Sequence, residues 1–374
     1  MRKRNLALNL FFILTLTLNA QVFQNVLYGE HAIEKNVSKI YIDKNGDIYP
    51  NSIIPNKSLK ENNSSIKEFY KNNANIFKEN SASIGLIFNE FTENNYIKFQ
   101  NLLFENKLKK INTNIKNSQV YILIHGFNKP SVPKGYSSSS KQDYEYLQNK
   151  ILDLRNNDPS FFIEIYWDGM YDCCIDKNTK TNKRIFKLYE EVSQINASRT
   201  GYSLRNLVPK INKNEITIIT HSLGSQVALS LLTNCFNERV NPEKTQLKTP
   251  DQNIHICLIA PSISKEPFNK YFQRNSSIDF KSKDNYSLNI LYNEKDFALR
   301  KKWKIFGPGP KKYGNTSLGC NHRNEIEKLE TIFHNDFKNS FLNTLNTTEI
   351  GKTHLVRKYA DSKSFGKFIT GIAK

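Results

Sequence analysis

The sequence predicts an α/β fold, a mainly parallel sheet flanked by helices, with an N-terminal extension. Two observations carry this. Residues 120–124, 161–167, 216–219, 254–260 and 288–292 are short, nearly continuous apolar runs rich in β-branched and aromatic residues, the pattern of strands buried on both faces. Helical periodicity lies between them at 142–154, 197–211 and 222–236, and strands alternating with helices give a parallel sheet. At 374 residues the chain can bury a large core and still carry an appendage.

The elements follow in order. Residues 1–20 read as a signal peptide: Met1-Arg2-Lys3-Arg4, an apolar stretch from Leu6 to Leu18, then Asn19-Ala20-Gln21, with a cut expected near Ala20. The apolar stretch is shorter than the ~20 residues that span a bilayer. Leu18 is poor at the third position before the cut, so an uncleaved anchor is the competing reading. Either way the protein is expected to be exported, to a periplasmic, envelope-associated or secreted location. Residues 21–116 form an Asn- and Lys-rich extension. A hairpin is expected at 39–49 through Lys44-Asn45-Gly46, because Asn-Gly supplies the positive φ angles of a tight turn. Helical periodicity follows around 66–77 and 96–108. Residues 117–374 make the α/β domain.

Lys and Arg total 54 against 35 Asp and Glu, a net charge of +19. The lysines are scattered among Asn and Ser, with no arginine stripe and no basic-aromatic platform, which argues against a nucleic-acid partner. An anionic membrane surface stays open as a partner. Cys173, Cys174, Cys235, Cys257 and Cys320 show no zinc spacing. One or two disulfides are compatible with export, but their connectivity is not readable from spacing.

Four segments carry chemistry. Thr220-His221-Ser222-Leu223-Gly224-Ser225 ends an apolar run and opens a helix, so Ser222 reads as a nucleophile on a tight strand-turn-helix elbow that strains its backbone. Small residues two before and two after the serine let the helix pass the strand; Gly224 satisfies this and Thr220 departs from it. His125-Gly126-Phe127-Asn128 ends the first run, where a sharp turn presents an amide above the sheet. The oxyanion-hole donors are assigned to the N–H groups of Phe127 and Leu223. Asp296 stands past the fifth run as the carboxylate that orients an imidazole, with Glu294 its nearest rival. If the base follows the acid in sequence, it is His354, His322 or His334. His354 is preferred because it follows the glycine approach Gly351-Lys352-Thr353, with His322 next; His334 falls in a helical run over 325–341. His221 points away from the serine and reads as structural, and His31 and His255 read as ordinary histidines. Residues 129–141, with four consecutive serines, read either as a mobile rim of the substrate entrance or as a solvent loop.

Together these segments resemble the α/β-hydrolase superfamily, and within it a bacterial group of uncharacterised α/β hydrolases whose first motif is a strand ending in His-Gly-Phe-Asn. The resemblance covers roughly residues 117–370: residues 122–128, Tyr166-Trp167-Asp168, residues 220–225, residues 295–299 with the downstream Ser317-Leu318-Gly319, and Thr353-His354. Its elbow is similar to the Thr-His-Ser-Leu-Gly elbows of some lipases. It implies a triad of Ser222, Asp296 and His354, and hydrolysis of a small-molecule or lipid ester through an acyl-enzyme, with no metal or organic cofactor. Thioesterase or peptidase chemistry would use the same triad. A reading from another class is a non-catalytic envelope protein that binds its partner on the same scaffold.

Overall fold

The computed structural model describes residues 36–50, 65–127, 139–169, 189, 193–233, 236, 252–268, 286–300, 317–336 and 341–372. The signal segment, His31, Cys173, Cys174, Cys235 and residues 129–138 of the expected rim lie outside the described residues. Strand β1 (Val37–Ile42) comes first, then helices α1 (Ile66–Asn72), α2 (Ala74–Ser83) and α3 (Glu93–Ile115). Strands and helices then alternate: β2 (Gln119–Ile124), α4 (Ser140–Leu154), β3 (Ser160–Trp167), α5 (Gln194–Leu204), β4 (Glu215–His221), α6 (Gly224–Leu232), β5 (Asn253–Ile259) and β6 (Tyr286–Tyr292). The last elements are α7 (Glu325–Asp336), β7 (Phe341–Asn346), α8 (Val356–Ala360) and α9 (Lys363–Gly371).

The seven strands form one sheet in the order β1-β3-β2-β4-β5-β6-β7, and every pair is parallel. Its centre is β4, with Thr220 opposite Ile124 of β2 on one side and Leu258 of β5 on the other. All eight residues of β3 are buried, and β4 is buried after its first residue, so helices cover both faces as a parallel sheet requires.

The expected hairpin at 39–49 reduces to its turn. Gly46 does take φ +92° and Ile42 bridges Ile48, but β1 runs parallel to β3, with Val37 opposite Phe162. The N-terminal segment therefore supplies an edge strand of the main sheet in addition to packing helices on it. Buried Asp43 fastens the turn by accepting the N–H groups of Asn45, Asp47 and Ile66. Burial pushes its carboxyl well above the usual range, and the neighbouring Asp47 adds to this.

The far edge differs too. The helical run expected to reach residue 341 stops at Asp336, and β7 follows, pairing with β6. Leu342 to Leu345 are only half-buried, and this Asn-containing edge strand lacks the continuous apolar signal of the central ones. The expected helix at 197–211 ends at Leu204, and a short turn over Val208–Lys210 contains Pro209. Helicity at 66–77 breaks at Asn73, whose φ is −134°. Ser139 and Ser140 belong to α4 rather than to a rim. The Ser139 hydroxyl accepts the Gln142 N–H, and the Gln142 side chain returns to the Ser139 N–H, a capping box.

Candidate active site

The elbow is built by close approach of backbone. Strand β4 ends at His221 and α6 starts at Gly224, so two residues reverse the chain. Ser222 takes φ +53°, the left-handed region that a residue with a Cβ adopts only under constraint. A Cβ at position 224 would lie 2.6 Å from the His125 carbonyl oxygen and 2.7 Å from that of Ile124. One at position 126 would lie 2.9 Å from the Ser222 Cβ. The two glycines thus let β2 and α6 crowd against the serine. Thr220 fits because its buried hydroxyl finds a partner in Ser225, Oγ to Oγ1 3.2 Å, beneath the helix start. The Ser222 N–H donates to the Ile259 carbonyl at 2.9 Å, and its carbonyl accepts the Ser262 N–H at 3.1 Å. By contrast, among the described residues the N–H groups of Phe127 and Leu223 donate to no protein acceptor.

The turn after β2 is pinned from β3 and α4. The Tyr144 hydroxyl accepts the His125 N–H at 2.7 Å and donates to the Ile165 carbonyl. The Trp167 indole donates to the His125 carbonyl at 2.8 Å, and the two rings stack 5.5 Å apart. Since the Trp167 N–H donates to His125 Nε2 (3.1 Å), Nδ1 carries the proton and donates to the Gly126 carbonyl (2.7 Å). His125 is therefore a buried fastener of the Gly126-Phe127 turn.

On the other side, Asp296 follows β6 and His354 follows β7. His354 Nδ1 lies 2.7 Å from Asp296 Oδ2, and His354 Nε2 lies 3.0 Å from the Ser222 hydroxyl. A carboxylate only accepts, so Nδ1 carries the proton and Nε2 is left to accept from the serine. Asp296 is fully buried. Its Oδ1 accepts the N–H groups of Ala298 and Leu299, and its Oδ2 also accepts the Tyr359 hydroxyl at 2.8 Å. Four donors thus hold the carboxylate in one orientation. The structure brings Ser222, Asp296 and His354 together and leaves the rivals apart: Glu294, His322 and His334 are exposed. His255, away from the site on β5, has Nδ1 2.9 Å from the Ser287 hydroxyl, and burial lowers its pKa.

Three supporting residues escape a reading of the sequence for chemistry. Tyr359 of α8 looks like an amphipathic-helix aromatic, yet its phenol bonds Asp296, and burial together with that carboxylate keeps it protonated. Asn293 links the two loops: its N–H donates to the Gly319 carbonyl, its side-chain amide to the Gly351 carbonyl at 2.8 Å, and its Oδ1 accepts the Lys295 N–H. His221 donates from Nε2 to the carbonyl of His354 at 2.9 Å. Its structural reading stands, and its object is the base loop. The consecutive His221-Ser222 pair gives no signal of that long-range bond.

Such a site can pass a proton from a hydroxyl to an imidazole steadied by a buried carboxylate, next to the amides of Phe127 and Leu223, which are unengaged among the described residues. Among the described residues no group of three His, Cys, Asp or Glu is placed to hold a metal. Cys257 and Cys320 are buried thiols outside any disulfide; Cys320 donates to the Ser317 carbonyl at 3.5 Å, and burial pushes the Cys257 thiol up, away from reactivity.

Residues 181–308 match the family described as alpha/beta hydrolase of unknown function (DUF900). That segment holds Ser222 and Asp296 and ends before His354. Solved structures with similarity include two of inhibited esterase B from Lactobacillus rhamnosis. They are 11% and 10% identical, with TM-scores of 0.34 and 0.35, covering 68% of this chain and 74% and 75% of theirs. Cfl2 from Burkholderia cenocepacia is 8% identical with a TM-score of 0.28, over 69% of this chain and 89% of its own. No curated protein matches.

Proposed function

We propose that this chain, an α/β hydrolase by fold, is a serine hydrolase that cleaves a carboxylic ester through an acyl-enzyme, with a lipid ester as the substrate class to test first. The observation that carries the reading is the unbroken hydrogen-bond line from the Ser222 hydroxyl through His354 to Asp296 (3.0 and 2.7 Å), with Ser222 on a strained elbow.

In this reading Ser222 attacks the ester carbonyl as His354 Nε2 takes its proton, and Asp296 stabilises the imidazolium. The developing oxyanion is met by the N–H groups of Leu223 and Phe127; losing one such donor typically costs about 3 kcal/mol of transition-state stabilisation. His354 then protonates the leaving alcohol. Water, deprotonated by the same imidazole, releases the acid and restores Ser222. No step calls on a metal or organic cofactor.

A fluorophosphonate probe is expected to label Ser222, and Ser222→Ala to abolish both labelling and turnover of p-nitrophenyl esters. Label on another residue, or turnover intact in Ser222→Ala, would sink the mechanism. Absence of burst and turnover across a series of acyl lengths, and on thioester and peptide substrates, would favour the non-catalytic binding scaffold. Export is part of the proposal: sequencing the N-terminus of the mature protein is expected to find a start next to Ala20.

A further inference from the structure

A peptide group is planar and trans, so its C=O and N–H point in opposite directions. The Ser222 carbonyl and the Leu223 N–H belong to one such group, and whatever fixes the carbonyl also aims the N–H. Two donors hold this carbonyl: the Ser225 N–H at 3.2 Å, in the first turn of α6, and the Ser262 N–H at 3.1 Å. The second comes from outside the elbow, from the loop that follows β5, where Ser262 is buried.

That loop is tightly constrained. Ala260 takes φ +47°, a left-handed backbone that a residue with a Cβ adopts only when its surroundings impose it. From the segment after Asp296, the Gly319 N–H donates to the Pro261 carbonyl at 3.1 Å and the Leu318 N–H to the Ile263 carbonyl at 3.0 Å. A third tie is a side chain, Tyr189. Its hydroxyl donates to the Ser262 carbonyl at 2.9 Å and lies 2.6 Å from the Ser262 hydroxyl. With its one proton given to the carbonyl, the phenol accepts from that hydroxyl. The Tyr189 ring meets the Phe127 ring edge to face, centroids 5.4 Å apart. One side chain thus reaches both the residue that aims the Leu223 N–H and the residue that carries the other oxyanion donor.

We infer that Tyr189 is a positioning residue for the oxyanion hole, setting the Leu223 and Phe127 N–H groups relative to each other by holding Ser262 with its hydroxyl and Phe127 with its ring. The inference deepens the hydrolase reading and rests on it. Tyr189 exchanges no proton in this role. Its effect falls on the two donors, which act only when they lie near about 3 Å from the oxyanion.

Hydroxyl and ring can be removed separately. Tyr189→Phe keeps the ring and is expected to lower kcat on a p-nitrophenyl ester about tenfold with KM within about twofold, and Tyr189→Leu, which removes both, to lower it about a hundredfold. A merely structural role would slow esters and thionoesters alike. Sulfur is a weak acceptor, so a thionoester draws little on the two donors, and the ratio of ester to thionoester kcat/KM is expected to fall about tenfold in Tyr189→Phe. This ratio does not depend on how much of the variant is folded. The double variant Tyr189→Phe with Ser262→Ala is expected to be no slower than Tyr189→Phe, because the two hydroxyls act as one bonded unit. An ester kcat within twofold of wild type in Tyr189→Phe, an unchanged ester to thionoester ratio, or losses that multiply in the double variant would overturn the inference. Fluorophosphonate labelling of Ser222 separates the two readings: absence of label from the wild-type protein would remove the hydrolase reading and this inference with it, whereas a labelled wild type with unmoved Tyr189 variants would refute this inference alone.

Discussion

Around Ser222 the backbone does the holding: two glycines at closest approach, a left-handed serine, and a central strand paired on both sides. Around His354 side chains do it, with Asn293, Tyr359 and His221 reaching between loops that leave β6, β7 and β4. The difference has a physical consequence. Steric fit fails abruptly when a Cβ is added, whereas a hydrogen-bonded loop loses one bond at a time, each worth about 1 kcal/mol. One half of the site should therefore be brittle and the other graded.

Gly224→Val breaks the comparison most directly. Its side chain would meet the His125 carbonyl at 2.6 Å, and overpacking against backbone costs about 3 kcal/mol or more. The expected result is a large drop in melting temperature or no soluble protein; a melt equal to wild type would refute the steric account. Asp296→Asn comes next. It keeps the shape but favours the wrong imidazole tautomer, so esterase kcat is expected to fall about 10⁴-fold with folding retained. Measured kcat within tenfold of wild type would remove Asp296 from the mechanism.

The graded half gives smaller steps. His221→Phe removes the donor to the His354 carbonyl and should lower kcat about tenfold with little change in KM. His221→Gln, which can still donate, should recover part of that loss, and a rate equal to that of the Phe variant would argue against positioning through this bond. Tyr359→Phe should cost about fivefold in kcat by withdrawing one of four donors from Asp296; an unchanged pH–rate profile and rate would make the contact incidental. The smallest effect is expected for Thr220→Gly. Activity should stay within about twofold, while stability falls by roughly 1 kcal/mol as a buried strand residue becomes glycine. A gain in activity would mean that Thr220 strains the elbow.

These same differences decide what could be read in the sequence. The elbow spells itself out in five consecutive residues because its constraint is local and steric, and the central strands appear as unbroken apolar runs because both their faces are covered. The choice among His354, His322 and His334 stayed open since the bond that settles their placement joins residues 132 positions apart. Tyr359 and Asn293 were invisible for a related reason: a helix-face tyrosine and a turn asparagine look the same whether or not a partner 63 or 58 residues away accepts their hydrogen. Strands β1 and β7 escaped as sheet members because each pairs on one side only, which relaxes the demand for continuous apolar residues that marks the middle.

The distance between Ser222 and His354 along the chain also governs timing. A polypeptide is made from its N-terminus, so β2, β4 and the elbow can form while the base is still unsynthesised. Throughout that interval the serine has no imidazole to take its proton and no Tyr359 to steady the acid. If the proposed mechanism holds, a nascent or truncated chain that has folded its centre is chemically silent. Activity therefore reports completion of the C-terminal helices as faithfully as it reports the nucleophile.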